Sequence, residues 1–274
     1  MNAGISGRAG QRVATVLLVV GMGFFIILPI VTLVVWAFAG EWYYPALLPQ
    51  QWSLTWWQQV FQNPLFTHEI LLSLTFAPVV TVLSAAICLP AAYAFARHDF
   101  PGKRVLQISI FATNAFPKMG LYIAIAGLFY AFHLMGTFIG VVIVQMLNTL
   151  VVMTWIPTAA FASVPRHLEE AARDVGASAW TTFWRVTFPL ARPGILVACI
   201  MAFLSSVDEA QATQLIGAPH YVTMAVEMYT MVQTFPQQAS AVFSILLILP
   251  SFVLLLLVRR YIVGGHLTAG YGKM

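Results

Sequence analysis

The sequence predicts an all-α integral membrane protein with six transmembrane helices. Of its 274 residues, 60% are hydrophobic and only 8% are charged, whereas soluble globular domains carry about 25% charged residues. The apolar residues form long segments, and a helix needs about 20 of them to cross the hydrocarbon layer of a bilayer. The basic residues lie in short groups between these segments rather than in one patch. These observations argue against a soluble fold and against a nucleic-acid partner.

The six predicted spans follow the apolar segments in chain order: 13–38, 70–96, 105–133, 137–160, 191–216 and 241–263. The first is longer than the apolar core of a signal peptide, about 7–15 residues, so we expect it to remain as a helix. Pro117 and Lys118 interrupt the third span, which we expect to be kinked or locally unwound there. We treat residues 1–274 as a single transmembrane domain.

The positions of the basic residues predict the orientation of these spans. In a six-span topology all thirteen Lys and Arg residues fall on one side except Lys118, which lies in the middle of the third span. Arg192, Arg259 and Arg260 are counted with that side because they lie at the ends of their predicted spans. That side carries Arg8, Arg12, Arg97, Lys103, Arg104, Arg166, Arg173, Arg185, Arg192, Arg259, Arg260 and Lys273. The positive-inside rule then places both termini and two loops in the cytoplasm. An odd number of spans would destroy this agreement.

The first outer loop, residues 40–69, is rich in aromatic residues. They are Trp42, Tyr43, Tyr44, Trp52, Trp56 and Trp57. Because such rings favour the headgroup boundary of a bilayer, we interpret the loop as an interfacial anchor, with a docking surface for an external partner as the alternative.

The loop over residues 163–190 is too polar to span a membrane and predicts two short helices. Pro165 can begin the first, and apolar residues then recur at helical spacing: Leu168, Ala171, Ala172 and Val175. Gly176 can end this helix in a left-handed conformation. Ser178 can cap the second helix, which we expect Pro189 to stop.

The first of these helices offers a surface for a partner. Glu169 and Arg173 are four residues apart in the order that favours a surface ion pair. Small residues would let a partner approach closely, and charges would orient it: Glu169, Glu170, Ala171, Ala172, Arg173, Asp174 and Gly176. From the pattern alone, a docking element and an ordinary connecting loop remain equally acceptable.

A longer pattern in this loop resembles a known family. Glu170-Ala171-Ala172 is followed after three residues by Gly176, and after nine more by Val186-Thr187-Phe188-Pro189. This spacing resembles the EAA loop of the permeases of binding-protein-dependent ABC importers, which have Ile and Leu where this chain has Val186 and Phe188. Residues 90–103 also resemble the end of the second transmembrane helix in these permeases. The resemblance covers roughly residues 70–263.

The resemblance implies a type I importer fold, an EAA coupling loop that enters a cleft of a cytoplasmic ATPase, and a bacterial plasma (inner) membrane location. The implied partners are a second permease, homologous or identical, two ATPase subunits, an external substrate-binding protein and the lipid bilayer. The coupling residues are Glu169, Glu170, Ala171, Ala172, Arg173, Gly176 and Pro189. No Gly-x-x-x-x-Gly-Lys-Ser/Thr pattern occurs, so we expect ATP and Mg in the partner ATPase. We predict no cofactor, metal site or catalytic residue in this chain.

Charged residues within the spans are candidates for a translocation path. Lys118, Asp208 and Glu209 would each cost about 2.5–3.5 kcal/mol if left unpaired at the bilayer midplane. One interpretation is a structural ion pair such as Lys118 with Asp208. The other is a polar path formed by Asn114, Lys118, Asp208, Glu209, Gln211 and Gln214, because residues three apart lie near one helical face.

The substrate is less constrained. Residues 203–209, 216–219 and 228–229 resemble polyamine-type permeases, so we predict a small polar solute such as a polyamine. A phosphonate, an opine, a sugar or another small solute is the alternative. A stand-alone secondary transporter would not explain the Glu-Ala-Ala to Pro189 spacing. An intramembrane enzyme would need a nucleophile–base arrangement, and this sequence has no convincing one. A purely structural assembly subunit would tolerate neutralisation of Asp208.

Overall fold

The computed structural model describes residues 3–43 and 45–263, with side chains for 14–43 and 45–257. Several positions used in the predicted topology and outer loop therefore lie outside the described residues or side chains: Arg8, Arg12, Tyr44, Arg259, Arg260 and Lys273.

Among the described residues, 3–43, 45–63 and 230–246 form one compact unit. It contains helix α1 (Ala3–Ala37), a short antiparallel pair of strands, β1 (Ala39–Glu41) and β2 (Gln51–Trp52), and helix α2 (Thr55–Gln62). The indole of Trp42 donates to the carbonyl of Ala46 at 2.9 Å and packs 4.3 Å from the ring of Trp36. The role of the aromatic loop as an interfacial anchor or a docking surface stays a prediction.

The described residues 64–229 and 247–263 form the second unit. Its elements, in chain order, are α3 (Pro64–Arg97), α4 (Lys103–Ala112), α5 (Lys118–Ala131), α6 (Phe138–Ala162), α7 (Arg166–Asp174), α8 (Ala179–Thr182), a π-helical segment (Phe183–Thr187), α9 (Phe188–Val207) and α10 (Gln211–Gly217). Helices α11 (Met224–Thr234) and α12 (Gln237–Val263) contribute residues to both units. That one domain covers residues 1–274 stays a prediction.

The core of the second unit lies where α3, α6 and α9 pack together. Cys88, Met153 and Ala198, one from each helix, are among the buried side chains of one cluster. The helices approach closely because Gly194 of α9 faces Ala160 of α6: a Cβ added at Gly194 would lie 2.5 Å from the Cβ of Ala160. The packing of α3, α6 and α9 therefore positions the ends of these helices and the 163–190 loop between α6 and α9.

Among the described residues, five helices are long and apolar enough to cross a membrane: Ala14–Ala37, Pro64–Arg97, Phe138–Ala162, Ala179–Val207 and Gln237–Leu257. The predicted third span is not one helix. The chain leaves α4 after Ala112 and re-enters a helix at Lys118, with Pro117 as its N-terminal cap, which confirms the predicted interruption. At 14 residues, α5 is shorter than a full span, and the six-span count stays a prediction.

The predicted bounds of the fifth span, 191–216, are wrong. The apolar helix begins at Ala179 and ends at Val207, and α10 is a separate helix that begins at Gln211. The physical reason is that residues 208–210 leave the helical path, and the carboxylate of Glu209 accepts a bond from the backbone of Ala212 at 2.7 Å. This bond starts a new helix.

Candidate functional site

The first helix of the 163–190 loop has the predicted limits. Helix α7 begins after Pro165, and Gly176 follows its end with a φ of +89°. The N–H of Gly176 donates to the carbonyl of Arg173 at 2.8 Å, and the N–H of Ala177 donates to that of Ala172 at 3.0 Å. This is a Schellman motif, which requires a left-handed residue. Among the described residues, no atom lies within 4 Å of a Cβ added at Gly176. The left-handed backbone therefore favours glycine at this position, whereas the surrounding atoms would leave room for a side chain.

The second helix begins as predicted but does not end as predicted. The hydroxyl of Ser178 accepts a bond from the N–H of Thr181 at 3.2 Å and caps α8. Pro189 does not stop the helix, which continues through the π-helical segment into α9. The N–H of Phe188 bonds the carbonyl of Phe183, five residues back, and this wider turn avoids the clash that proline causes in an α turn.

The predicted surface pair between Glu169 and Arg173 is wrong. Glu169 is only 7% exposed, and its Oε1 accepts from the Nη2 of Arg97 at 2.8 Å and from the hydroxyl of Thr187 at 2.6 Å. The same Nη2 of Arg97 donates to the carbonyl of Val164 at 2.8 Å. One buried ion pair therefore connects four parts of the chain: the end of α3, the short connection that follows α6, helix α7, and the π-helical segment.

The other predicted coupling residues lie at the surface of the chain. Five are exposed and Ala172 is half-buried: Glu170, Ala171, Arg173, Gly176 and Pro189. Two tryptophans that the sequence analysis did not single out lie beside them, Trp180 with 71% and Trp184 with 46% of the residue exposed. The loop thus exposes small, charged and aromatic side chains.

The proposed ion pair between Lys118 and Asp208 does not form. Both residues are exposed, and among the described residues the ion pairs are Arg97 with Glu169 and Lys103 with Asp99. The second of these pairs is on the surface, where the hydrogen bond from Lys103 lowers the pKa of the Asp99 carboxyl. Within the described part of the chain, neither Lys118 nor Asp208 therefore takes part in an ion pair.

Glu209, in contrast, is buried and fully engaged within the chain. Its Oε1 accepts from the N–H of Ala212, and its Oε2 accepts from the amide of Asn148 and from the hydroxyl of Tyr122 at 3.3 Å. The Tyr122 hydroxyl also lies 2.7 Å from the carbonyl oxygen of the Asn148 side chain. This network joins α5, α6 and α10, so the acidic pair Asp208–Glu209 divides into one exposed and one buried carboxylate.

The remaining path candidates are exposed, as a path would require. Asn114 lies in the break between α4 and α5, and Gln211 and Gln214 lie on α10 in the same exposed pattern as Asp208. Their role in translocation stays a prediction.

Sequence reasoning missed the partners of the buried carboxylates. Arg97 and Thr187 bind Glu169, and Tyr122 and Asn148 bind Glu209. The available signals were an arginine that ends an apolar span and an asparagine within one. Neither signal specifies which distant residue becomes the partner.

Comparison with known proteins places these features in a family. Residues 86–264 match the model of the family described as binding-protein-dependent transport system inner membrane component. The trehalose transport system permease protein SugB of Mycobacterium tuberculosis is 29% identical over 232 residues, which are 83% of this chain and 84% of that protein. The maltose/maltodextrin transport system permease protein MalG of Escherichia coli is 31% identical over 206 residues, 72% and 69% of the two chains.

A solved structure shows the same fold. A chain of a bacterial ABC transporter involved in the import of the acidic polysaccharide alginate superimposes with a TM-score of 0.70 at 19% identity, over 93% of this chain and 97% of that one. This similarity confirms the predicted type I permease fold. Because the family match covers more than half of the sequence and includes the whole loop with its glycine-ended helix, the chain belongs to the family of binding-protein-dependent transport system inner membrane components.

Proposed function

We propose that this permease forms half of the translocation path of an ATP-driven importer and receives the force of ATP hydrolysis through the coupling loop, residues 163–190. The observation that carries this proposal is the exposed end of α7. Ala171 and Gly176 are exposed, and no atom of the described residues lies within 4 Å of a Cβ added at Gly176. Such a surface suits the groove of a rigid partner, because small side chains allow close approach and exposed charges orient the contact.

The energy source belongs to a partner. The sequence has no phosphate-binding loop of the Gly-x-x-x-x-Gly-Lys-Ser/Thr type, so ATP and Mg belong in two cytoplasmic ATPase subunits. The family depends on a binding protein by its description, and an alginate transporter of similar fold has been solved in complex with a periplasmic protein bound to an alginate pentasaccharide. An external binding protein, a second permease copy or homologue, and cytoplasmic termini complete the proposal.

The translocation path is proposed to lie against the second permease. Lys118 and Asp208 are exposed in this chain, and a charge that faces lipid is costly. A water-filled cavity between two permeases would remove that cost and would place both charges beside a polar solute.

The proposed substrate is a sugar or an oligosaccharide. The relatives carry trehalose and maltose or maltodextrin in their names, which favours the sugar alternative over the polyamine suggested by residues 203–209. The exposed amides of Asn114, Gln211 and Gln214 agree with this choice, since an amide both donates to and accepts from a hydroxyl group.

The experiment is a reconstitution of the permease with its ATPase and binding protein in proteoliposomes. ATP hydrolysis and solute uptake are measured with trehalose, maltotriose or spermidine on the binding protein. We expect a sugar to stimulate hydrolysis and uptake, and the Gly176→Asp variant to insert in the membrane but to lose the stimulation. Uptake without ATP would instead establish a stand-alone transporter, and stimulation by spermidine alone would restore the polyamine prediction.

A further inference from the structure

We propose that the buried ion pair between Arg97 and Glu169 is a positioning element that fixes the coupling loop to the transmembrane core, so that force applied to α7 reaches α3 and α9. This inference rests on the proposed function and assigns it a mechanical connection. Glu169 precedes the Glu-Ala-Ala sequence, and its side chain points into the protein instead of toward a partner.

The first support is that α7 has no other buried side chain. All of α7 is described, and Glu169 is the one residue in it that is buried. Leu168, the largest apolar residue of this helix, is 38% exposed. A helix normally attaches to a protein through an apolar face. Here the buried group of the helix is one carboxylate, so the direction of its bonds contributes to where the helix lies.

The second support is that the pair joins separate elements at short distances. The side chains of Arg97 and Glu169 are 6% and 9% exposed and lie 2.8 Å apart. Arg97 is the last residue of α3, and it also holds the carbonyl of Val164, just after α6. Thr187, fully buried at the end of the π-helical segment, donates to the same Glu169 oxygen. A displacement of α7 is thereby transmitted to the helices on both sides.

The third support is that stability alone does not account for the pair. Apolar residues of similar volume in place of a buried ion pair often give equal or greater stability. The Nε of Arg97 also has no hydrogen-bond partner within the described part of the chain. What a charged pair supplies, and apolar packing does not, is a bond of fixed direction between two elements.

The test compares variants in the reconstituted complex with sugar-loaded binding protein. The readout is stimulated over basal ATP hydrolysis and solute uptake per ATP, for equal amounts of assembled complex. We expect Arg97→Gln and Glu169→Gln each to reduce the stimulation at least about fivefold, the lower end of typical coupling between sites. The double variant should lose no more than either single variant, because each already breaks the same connection.

The hydroxyl bond gives a second, milder test. Thr187→Val removes the donor to Glu169 with little change of shape and should reduce stimulation, whereas Thr187→Ser should restore it. The matched control is Lys103→Gln, which breaks the exposed pair with Asp99 and should leave stimulation at the wild-type value.

The possible results separate the two proposals. Equal stimulation in all variants, multiplied losses in the double variant, or a lower yield of complex with normal stimulation per complex would overturn the positioning role. An absence of stimulation in the wild-type complex would refute the proposed function, and the positioning role would fall with it.

Discussion

Removal of the Glu209 side chain should destabilise the protein, whereas removal of its neighbour's charge should not. In Glu209→Ala, the N–H of Ala212 and the amide of Asn148 lose their acceptor. The Tyr122 hydroxyl still reaches Asn148 at 2.7 Å. A buried donor without a partner, such as the N–H of Ala212, costs about 1–3 kcal/mol. The amide of Asn148 is half-buried and costs less, because water can reach it, so we expect a total loss of roughly 3 kcal/mol. At about 2–4 °C per kcal/mol, the melting temperature should fall by roughly 10 °C.

The assay is thermal unfolding of the purified chain in detergent, followed by circular dichroism. Asp208→Ala is the matched control, because Asp208 is the adjacent acidic residue and is exposed. It should melt within about 2 °C of the wild type, since surface substitutions usually change stability by less than about 0.5 kcal/mol. Equal melting temperatures for Glu209→Ala and the wild type, or equal losses in the two variants, would refute the assignment of a structural role to Glu209 alone.

Three further outcomes are expected. Asp208→Asn should leave the melting temperature unchanged but reduce uptake in proteoliposomes; unchanged uptake would remove Asp208 from the path and favour a structural assembly role. Gly176→Asn should preserve the stability of the chain and reduce the amount of ATPase that co-purifies with it. Asparagine tolerates a left-handed backbone, and no atom of the described residues lies within 4 Å of a Cβ added at this position. Retained ATPase would show that no partner closes around this site. Gly194→Ala, with its Cβ 2.5 Å from that of Ala160, should cost about 1–3 kcal/mol through overpacking; an unchanged melting curve would contradict the close packing of α6 and α9.

The features that sequence analysis located correctly are those set by local chemistry. The apolar runs specify long helices because lipid must cover their sides. Gly176 and Ser178 mark the end of one helix and the start of the next, because a left-handed turn and a hydroxyl cap act on bonds a few residues away. The break at Pro117 follows from a missing N–H at one position. Each of these effects can be read in a window of a few residues.

The features that sequence analysis missed depend on residues distant in the chain. The spacing of Glu169 and Arg173 on one helix predicted a surface pair. The carboxylate of Glu169 instead pairs with Arg97 from α3, because the two side chains are buried next to each other. The fifth span was predicted to continue to residue 216, because its composition stays apolar. It ends at Val207, since Asn148 and Tyr122 hold Glu209 outside the helical path.

The π-helical segment sets the direction in which α8 points relative to α9, as well as the distance between them along the chain. An α-helix turns by about 100° for each residue, and the bond from Phe188 to Phe183 spans one residue more than an α-helical bond. Residues 183–187 therefore set the angle about the helix axis at which α8 leaves α9. Deletion of one residue there would shorten the loop only slightly, but it would swing Trp180 and the rest of α8 to another side of the axis. The nine residues between Gly176 and Val186 thus fix an angle as well as a length.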